Sequence, residues 1–222
     1  MQKETYLTIS PAKLAKTEVV EVYTKTAPVY DLWGRLTETR SRELALALAK
    51  IKDGEAVLEV AVGTGLTFFE ILEANPNGEN FGIDLTPAML EKALLKAAES
   101  GVSNYQLAIG DAFALQFPAQ RFDLLMNDYM FDLLPEPDFS LVLAEFKRVL
   151  KPGGRLVLIN MTRGEHFYEN IWEGGYHLNP RWLGGCRGVL LIEHLQAAGF
   201  KNVHREMLSQ FGFPSEIISA TV

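Results

Sequence analysis

The stretch V-L-E-V-A-V-G-T-G, residues 57–65, decides the fold of this chain. Residues 57–62 form a short apolar run rich in valine, which is typical of a strand buried on both faces of a parallel sheet. Gly63 and Gly65 follow the run, and glycine lets the backbone turn tightly and approach a ligand closely. The stretch therefore predicts the first strand-to-helix junction of an α/β sheet, with a ligand site at the end of the strand.

Beyond this junction, predicted strands and helices alternate along the chain. The further strands are predicted at residues 80–84, 105–111, 122–128, 155–160, 201–207 and 213–220, and the helices at 66–73, 86–99, 138–150 and 188–198. Strands that alternate with helices imply right-handed crossovers and a mostly parallel sheet that is covered on both faces.

Length and composition favour a single folded domain over residues 1–222. A chain of 222 residues with 48% hydrophobic residues can bury a sizeable core. Residues 1–50 predict a helical N-terminal cap segment, with breaks near Pro28 and Gly34. Residues 161–187 are rich in glycine, histidine and aromatic side chains and show no clear period. A loop of that length predicts a lid or a substrate loop within the domain.

Charge and cysteine content exclude several classes of function. The chain has 21 Lys and Arg against 28 Asp and Glu, a formal net charge of −7, which argues against a nucleic-acid partner. The single cysteine, Cys186, excludes an internal disulfide and a cysteine-built zinc site, and no metal site is predicted. The polar start and the lack of an 18-residue apolar run predict a cytoplasmic protein without a transmembrane segment. Peripheral membrane contact and a homodimer are left open.

Two cofactors compete for the glycine-rich turn, a nicotinamide dinucleotide and S-adenosylmethionine. A dinucleotide fingerprint would place its third glycine at position 68, which is Phe68. Between Asp53 and Glu91 the chain carries eight acids and no Lys or Arg. Glu59, at the strand terminus, would repel a pyrophosphate and attract a sulfonium or an ammonium. These features favour S-adenosylmethionine, and an NAD-dependent oxidoreductase is the alternative.

Two further carboxylates stand at predicted strand ends, where ligands bind α/β sheets. Asp84 ends the second strand, where an acid can accept hydrogen bonds from both hydroxyls of a ribose. Asp111 ends the third strand, where it can accept from an adenine amino group while the backbone at Ala112 meets the ring.

Together these segments resemble the class I S-adenosylmethionine-dependent methyltransferases over about residues 20–207. The matching motifs are V-L-E-V-A-V-G-T-G, G-I-D-L-T-P-A-M-L-E-K-A, G-D-A-F-A-L-Q-F-P, R-F-D-L-L-M-N-D-Y and R-V-L-K-P-G-G-R-L-V-L-I-N. The resemblance implies a doubly wound, Rossmann-like sheet in order 3-2-1-4-5-7-6 with the last strand antiparallel. It also implies methyl transfer to a small molecule or a lipid headgroup. The chain looks most similar to the ubiquinone/menaquinone C-methyltransferases and the soluble bacterial phosphatidylethanolamine N-methyltransferases.

The resemblance also implies the residues that hold the cofactor. Carried over position by position, they are Tyr23, Tyr30, Glu59, Ala61, Gly63, Gly65, Asp84, Leu85, Asp111, Ala112 and Asn127. Ala61 stands where the family has its first loop glycine. Its methyl group is tolerable if the residue keeps a negative φ, but cofactor affinity could still fall. A catalytically silent cofactor-binding module is therefore a second alternative.

Methyl transfer from a sulfonium needs a general base only when the acceptor must lose a proton. The candidate catalytic residues are Tyr23, Tyr30 and Asp128, and His166 and His177 are further candidates for a base. An aromatic lid is predicted at Phe167, Trp172, Tyr176 and Trp182. Such a lid would favour an apolar, planar or quaternary-ammonium acceptor, although the same side chains could simply pack the loop onto the sheet.

Overall fold

The computed structural model describes residues 9–163 and 170–222 and contains a seven-stranded sheet in the order β3-β2-β1-β4-β5-β7-β6. The strands are β1 (Ala56–Val60), β2 (Glu79–Asp84), β3 (Tyr105–Ile109), β4 (Phe122–Asp128), β5 (Leu150–Met161), β6 (Lys201–Gln210) and β7 (Phe213–Thr221). The first five strands pair in parallel, and β7 is antiparallel to both β5 and β6. The predicted strand order and the antiparallel last strand are confirmed.

Eight α-helices lie within the described residues. They are α1 (Lys16–Thr26), α2 (Tyr30–Thr37), α3 (Thr39–Ala49), α4 (Leu66–Ala74), α5 (Pro87–Glu99), α6 (Phe139–Val149), α7 (Asn170–Leu178) and α8 (Ile192–Ala197). Short 3-10 turns cover Phe131–Leu133, Glu136–Asp138 and Pro180–Leu183. None of the helices in residues 9–163 and 170–222 is long and apolar enough to cross a membrane.

The central strands bury side chains on both faces of the sheet, which explains their continuous apolar sequence. Successive strand residues point to opposite faces, so Leu58 joins the core under α6 and α8, while its neighbour Val57 joins the core under α3, α4 and α5. At the edge, β3 is only partly covered. The helices therefore form a layer on each face and leave the strand ends free to build a site.

Two segments differ from the sequence-based expectation. Gly34 lies inside α2 and does not break the helix. Gly34 is buried, and a Cβ atom there would lie 3.0 Å from the Leu66 side chain, so the glycine permits close packing. The helix instead ends at Thr37, with Glu38 as its C-cap residue. The predicted loop 161–187 contains α7 and a 3-10 turn; the Gly174-Gly175 pair within α7 hides its helical period in the sequence.

Candidate active site

A cavity of about 310 Å³ lies at the carboxyl ends of β1 to β4. This is the edge at which open α/β sheets bind ligands, and the strand order reverses here between β1 and β4. The predicted residues in its lining are Tyr23, Tyr30, Ala61, Gly63, Asp84, Leu85, Asp111, Ala112 and Asp128. The cofactor and catalytic sets share Tyr23 and Tyr30 and together comprise twelve positions, of which the cavity gathers nine.

Asp84 joins the loops that follow β1 and β2. Its Oδ2 accepts a hydrogen bond from the backbone N–H of Gly63 (2.8 Å), and its Oδ1 accepts one from the N–H of Thr86 (2.7 Å). The side chain is nearly buried, and burial raises the pKa of the carboxyl, although the N–H groups that it binds oppose this shift. Each carboxylate oxygen keeps a further lone pair toward the cavity, so Asp84 can accept from a vicinal diol.

Asp111 forms the opposite end of the cavity and has a partner that the sequence did not indicate. Its Oδ1 accepts from the N–H of Phe113 (3.1 Å), and its Oδ2 pairs with Nζ of Lys16. Lys16 belongs to α1 and also lies 5.1 Å above the ring of Phe113. The N-terminal cap therefore closes over this end of the cavity, and Lys16 contacts the carboxylate that was predicted to meet the adenine amino group.

In the glycine-rich turn, Ala61 does not have the negative φ that would accommodate its methyl group easily. Ala61 has a φ of 60°, and Gly63 and Gly65 have φ values of 57° and 82°. The condition under which the alanine methyl group would be tolerable, a negative φ, is therefore not met. The turn after β1 requires the left-handed conformation at this position, which costs a residue with a Cβ about 1–2 kcal/mol. Ala61 lies in this conformation and lines the cavity.

A smaller cavity of about 40 Å³ continues from the main one, and its wall includes three carboxyl groups and one guanidinium. The carboxyls belong to Glu38, Glu59 and Asp128, and the guanidinium belongs to Arg42. Glu59 Oε2 and Asp128 Oδ1 are buried and have no hydrogen-bond partner. Leaving a buried carboxylate oxygen without a partner is costly, so these two oxygens can accept hydrogen bonds from a cationic group of a ligand.

Burial sets the protonation of these acids. It raises the pKa of Glu59 well above its ordinary value, that of Asp128 to about 6 and that of Glu38 to about 8. The neighbouring carboxyl of Asp128 adds to the upward shift at Glu38 and Glu59, and Arg42 opposes it. Arg42 donates to Glu70 through Nε (3.1 Å); within the described residues, its terminal nitrogens make no hydrogen bond to protein.

Three predicted positions serve the site from outside the main cavity. Glu59 lies in the smaller cavity. Gly65 precedes α4, and a Cβ there would come within 2.9 Å of the Ala93 backbone, so it permits the close approach of α5. Asn127 is fully buried and donates from Nδ2 to the carbonyl of Val60 (2.8 Å). Its side chain thus ties β4 to the end of β1.

The predicted aromatic lid packs largely against the fold. Trp172 makes edge-to-face contacts with Trp33 and Phe213. Tyr176 is buried, donates to the carbonyl of Pro11 and accepts from the N–H of Lys13. Trp182 is exposed. His177 lies on the exposed side of α7, and neither it nor these three aromatic residues line the cavity; Phe167 and His166 lie outside the described residues.

The residues that sequence reasoning missed come mostly from the cap. Glu38 and Arg42 line the smaller cavity, and Lys16 reaches Asp111. A four-residue spacing places Glu38 and Arg42 on one helix face. That spacing was the available signal, but it is indistinguishable from an ordinary surface pair until α3 packs on the sheet.

S-adenosylmethionine fits this arrangement of donors and acceptors. Its ribose and adenine would face Asp84 and Asp111, and its positive charges would lie toward unpartnered carboxylate oxygens. A diphosphate would meet the same carboxylates with the wrong sign of charge. Among the described residues, no group of three or more His, Cys, Asp or Glu side chains could hold a metal ion.

Comparison with protein families and curated proteins gives a consistent result. A family model described as a methyltransferase domain matches residues 51–185. A demethylmenaquinone methyltransferase of Lactobacillus johnsonii is 30% identical over 93% of this chain and 89% of its own length. One of Lactococcus lactis is 33% identical over 69% of this chain and 62% of its own length. An aklanonic acid methyltransferase of Streptomyces sp. strain C5 is 32% identical over 64% of each chain. The matched region spans less than two thirds of the last two relatives.

Solved structures share the fold at low sequence identity. The cyclase SpnF superposes with a TM-score of 0.74 at 19% identity, covering 96% of this chain and 97% of its own. A SAM-dependent methyltransferase of Aquifex aeolicus superposes with a TM-score of 0.61 at 21% identity, covering 95% of this chain and all of its own. At this identity the likeness establishes the architecture alone, and the chemistry must come from the site.

Proposed function

Because the chain belongs to the S-adenosylmethionine-dependent methyltransferases, we propose that it methylates a planar, hydroxylated aromatic small molecule. S-adenosylmethionine is its cofactor and small molecules are the acceptor class of its relatives; neither the family match nor these relatives support the oxidoreductase alternative. We also propose that residues 1–222 form one domain with an N-terminal cap.

The observation that carries this proposal is the apolar wall of the main cavity. Val19 and Val20 of α1 face it from the cap, and Met130, Leu133 and Leu134 face it from the segment after β4. These side chains offer no hydrogen bonds to a sugar or an amino acid but suit an aromatic ring. Two relatives are named for the methylation of demethylmenaquinone and of aklanonic acid, and small-molecule acceptors of this kind agree with an apolar wall.

In the proposed arrangement, the chain's own residues bind and orient the cofactor. Asp84 would accept hydrogen bonds from the ribose hydroxyls, and Asp111 with the backbone at Ala112 would hold the adenine. Glu59 and Asp128 would hold the ammonium.

Two residues of the cap complete the amino-acid end of the site. Glu38 adds a third carboxyl near the ammonium, and Arg42 offers its terminal nitrogens to the carboxylate. Because both residues come from the α2–α3 junction and α3, the cap contributes directly to cofactor binding.

When bound, the cofactor supplies an activated methyl group. The protein then contributes alignment and exclusion of water, which supply much of the acceleration in such displacements. Tyr23 and Tyr30 stand together at one wall of the cavity with ring centroids 5.9 Å apart. They would hold the acceptor against the activated methyl group.

The cofactor assignment is tested by calorimetry with S-adenosylhomocysteine. Asp84→Ala removes a charge-assisted hydrogen bond and should weaken binding by about 1–3 kcal/mol. Asp123→Ala, a partly exposed acid at the opposite end of β4 that pairs with Lys151, is the control and should bind as the wild type does. Equal affinity of wild type and Asp84→Ala would show that the ribose does not bind here, and binding of NAD alone would overturn the cofactor.

The acceptor assignment is tested with labelled S-adenosylmethionine and a defined panel. The panel contains a short-chain 2-prenyl-1,4-naphthohydroquinone, a simple primary amine and phosphatidylethanolamine vesicles. We expect label to enter the naphthohydroquinone. Label in the amine or the lipid alone would refute the aromatic acceptor, and tight cofactor binding without turnover of any member would favour the catalytically silent module.

A further inference from the structure

A polar cluster lies directly behind the tyrosine wall of the main cavity. The hydroxyl of Tyr23, which lines the cavity, lies 3.5 Å from Sγ of Cys186. The segment that carries this thiol is close to the phenol, since a Cβ at Gly184 would come within 3.0 Å of the Tyr23 hydroxyl. The phenol is therefore held between the cavity on one side and a thiol on the other.

The carboxyl of Asp132 completes the cluster on the side away from the cavity. Asp132 is fully buried in the 3-10 turn Phe131–Leu133. Its Oδ2 accepts one long hydrogen bond from the N–H of Met161 (3.4 Å), and its Oδ1 has no hydrogen-bond partner. Burial raises the pKa of this carboxyl to about 7, and a side-chain hydrogen bond with the Cys186 thiol opposes the rise. Burial is also the main cause of the raised pKa values of Tyr23 and Cys186, and the charge of Asp132 adds to both.

The nearby charged groups do not neutralise Asp132 through direct contact. Arg187 is also buried, but it donates to the backbone carbonyls of Ser10, Asp132 and Leu134, so it fixes the frame of the cluster and lowers the carboxyl pKa only from a distance. Other titratable groups that act on the cluster are the phenol of Tyr30 and the acids Glu38 and Glu216. A buried carboxylate with an unpartnered oxygen and no ion-pair partner lowers the stability of the folded state. Its position behind a phenol that lines the cavity indicates a functional role.

We propose that Tyr23, Cys186 and Asp132 form a path that takes a proton from the methyl acceptor. The inference rests on the proposed function of the same cavity. As the acceptor's oxygen or carbon forms its bond to the methyl carbon, the bond from that carbon to sulfur breaks and its electron pair stays on sulfur. The acceptor's proton passes to the Tyr23 oxygen, the phenol proton passes to Sγ, and the thiol proton passes to Asp132. Electrons and atoms balance without an oxidant or reductant.

The path determines which class of acceptor suits the enzyme. An acceptor that must lose a proton, such as a hydroxyl or a ring carbon of a hydroxylated aromatic, gains from it. A tertiary amine or a thioether loses no proton on methylation and gains nothing. Tyr23 is then the group that touches the acceptor, whereas Cys186 and Asp132 act through it.

The test compares isosteric variants at neutral pH with the 2-prenyl-1,4-naphthohydroquinone as acceptor. Asp132→Asn, Cys186→Ala and Tyr23→Phe should each lower kcat by about 10²-fold or more, the usual effect of losing proton transfer, and should leave the KM for S-adenosylmethionine within about twofold. Cys186→Ser keeps a hydroxyl in the path and should retain most of kcat. In Asp132→Asn, the rise of kcat with pH through about 7 should disappear.

Glu216→Gln is the matched control. Glu216 is buried, has an unpartnered oxygen and a pKa raised to about 7 by burial, but it pairs with Arg205 (2.7 Å) and does not contact the phenol. Its variant should lose stability and keep kcat at neutral pH, and the rise of kcat with pH should remain, shifted only slightly by the loss of the nearby charge. Equal losses of kcat in Glu216→Gln and Asp132→Asn would overturn the path in favour of a purely structural contribution of buried acids.

A second measurement needs no acceptor and separates this inference from the proposed function. Cys186 is the single cysteine, so the pH dependence of its alkylation by iodoacetamide reports the thiol pKa directly. Asp132→Asn removes a carboxylate that raises this pKa, so the variant should be alkylated at a lower pH than the wild type. If the naphthohydroquinone is not methylated, the acceptor proposal fails, and the alkylation result then decides the proton path. Coincident alkylation curves for wild type and Asp132→Asn overturn the path, whereas a lowered thiol pKa in the variant supports it.

Discussion

At the scale of single residues, Ala61 holds a strained, left-handed backbone conformation in the candidate active site. Its φ of 60° disfavours any residue with a Cβ, and glycine adopts this conformation without that cost. Ala61→Gly should therefore raise the free energy of unfolding by about 1 kcal/mol, measured by urea denaturation. Gly101, another left-handed position remote from the cavity, offers the converse control, because Gly101→Ala should destabilise by a similar amount. An unstable Ala61→Gly would mean that the alanine methyl packs usefully against the site.

Glu38 makes cofactor binding depend on protons. Burial raises its pKa to about 8, so it is largely protonated at pH 7 without ligand. An ammonium placed beside it favours the ionised form and lowers that pKa. Binding of S-adenosylhomocysteine at pH 7 should therefore release protons, measured by calorimetry in buffers of different ionisation enthalpy. Glu38→Gln should release fewer protons, whereas Glu43→Gln, an exposed acid on the same helix, should not differ from wild type.

Some site residues can be predicted from the sequence, and others become recognisable only in the folded structure. Asp84 and Asp111 were predicted because each ends a strand, and parallel strands bring their ends to one edge. Glu38, Arg42 and Lys16 could not be placed this way. They lie on helices, and only the docking of the cap onto the sheet directs them to the cavity.

At the scale of elements, the apolar runs predicted β1, β2 and β4 within two residues, because a strand buried on both faces has a continuous apolar sequence. The predicted start of β5 was five residues late. Lys151 to Gly154 carry no apolar pattern, yet Leu150 pairs with Phe122 at the head of the strand across a register shift. Segment 161–187 was misjudged for the same reason: α7 depends on the contact of Trp172 with Trp33 and Phe213, which are distant in sequence.

Helix α1 places Lys16 against Asp111, at the proposed adenine end of the cavity. The Lys16–Asp111 pair is partly exposed, and such pairs contribute about 0.2–1 kcal/mol. Because Lys16 contacts the carboxylate that the adenine amino group would use, Lys16→Gln should strengthen S-adenosylhomocysteine binding by about two- to fivefold at low salt. Added salt should bring wild type and variant closer together.

The matched control for this prediction lies on the same helix. Lys25 pairs with Glu21 one turn away and is well exposed, so Lys25→Gln changes the charge of α1 equally without touching Asp111. It should leave the affinity unchanged. Weaker binding in Lys16→Gln would show that the lysine holds the ligand and does not compete with it.

At the scale of the whole molecule, buried acids make stability fall as pH rises. Burial raises the pKa values of Glu38, Asp128, Asp132 and Glu216 to between about 6 and 8. The folded state thus binds more protons than the unfolded state between pH 4 and 8. The stability from these groups is fully present below their unfolded pKa values and is lost as pH rises through the folded ones.

Ion-paired acids act in the opposite sense, but over a different range. Glu55 and Asp123 have pKa values below their ordinary ones, where hydrogen bonds to Arg155 and Lys151 outweigh the cost of burial. The stability that they contribute is present above about pH 4 and is lost only as pH falls below it. Above pH 6, therefore, these ion-paired acids do not oppose the trend that the buried acids set.

The thermal midpoint of the unliganded protein should consequently fall between pH 6 and pH 8.5 by on the order of 10 °C. Glu216→Gln removes one of these acids and should flatten the curve, although the loss of its pair with Arg205 lowers the midpoint throughout. Saturating S-adenosylhomocysteine should also flatten the dependence of the thermal midpoint on pH, but through other groups. Its ammonium favours the ionised forms of Glu38 and Asp128 and leaves Asp132 and Glu216 unchanged. A thermal midpoint that rises with pH across this range would mean that these carboxyls are solvated or paired in the folded protein. Both the cationic end of the cofactor site and the proton path would then lose their electrostatic basis.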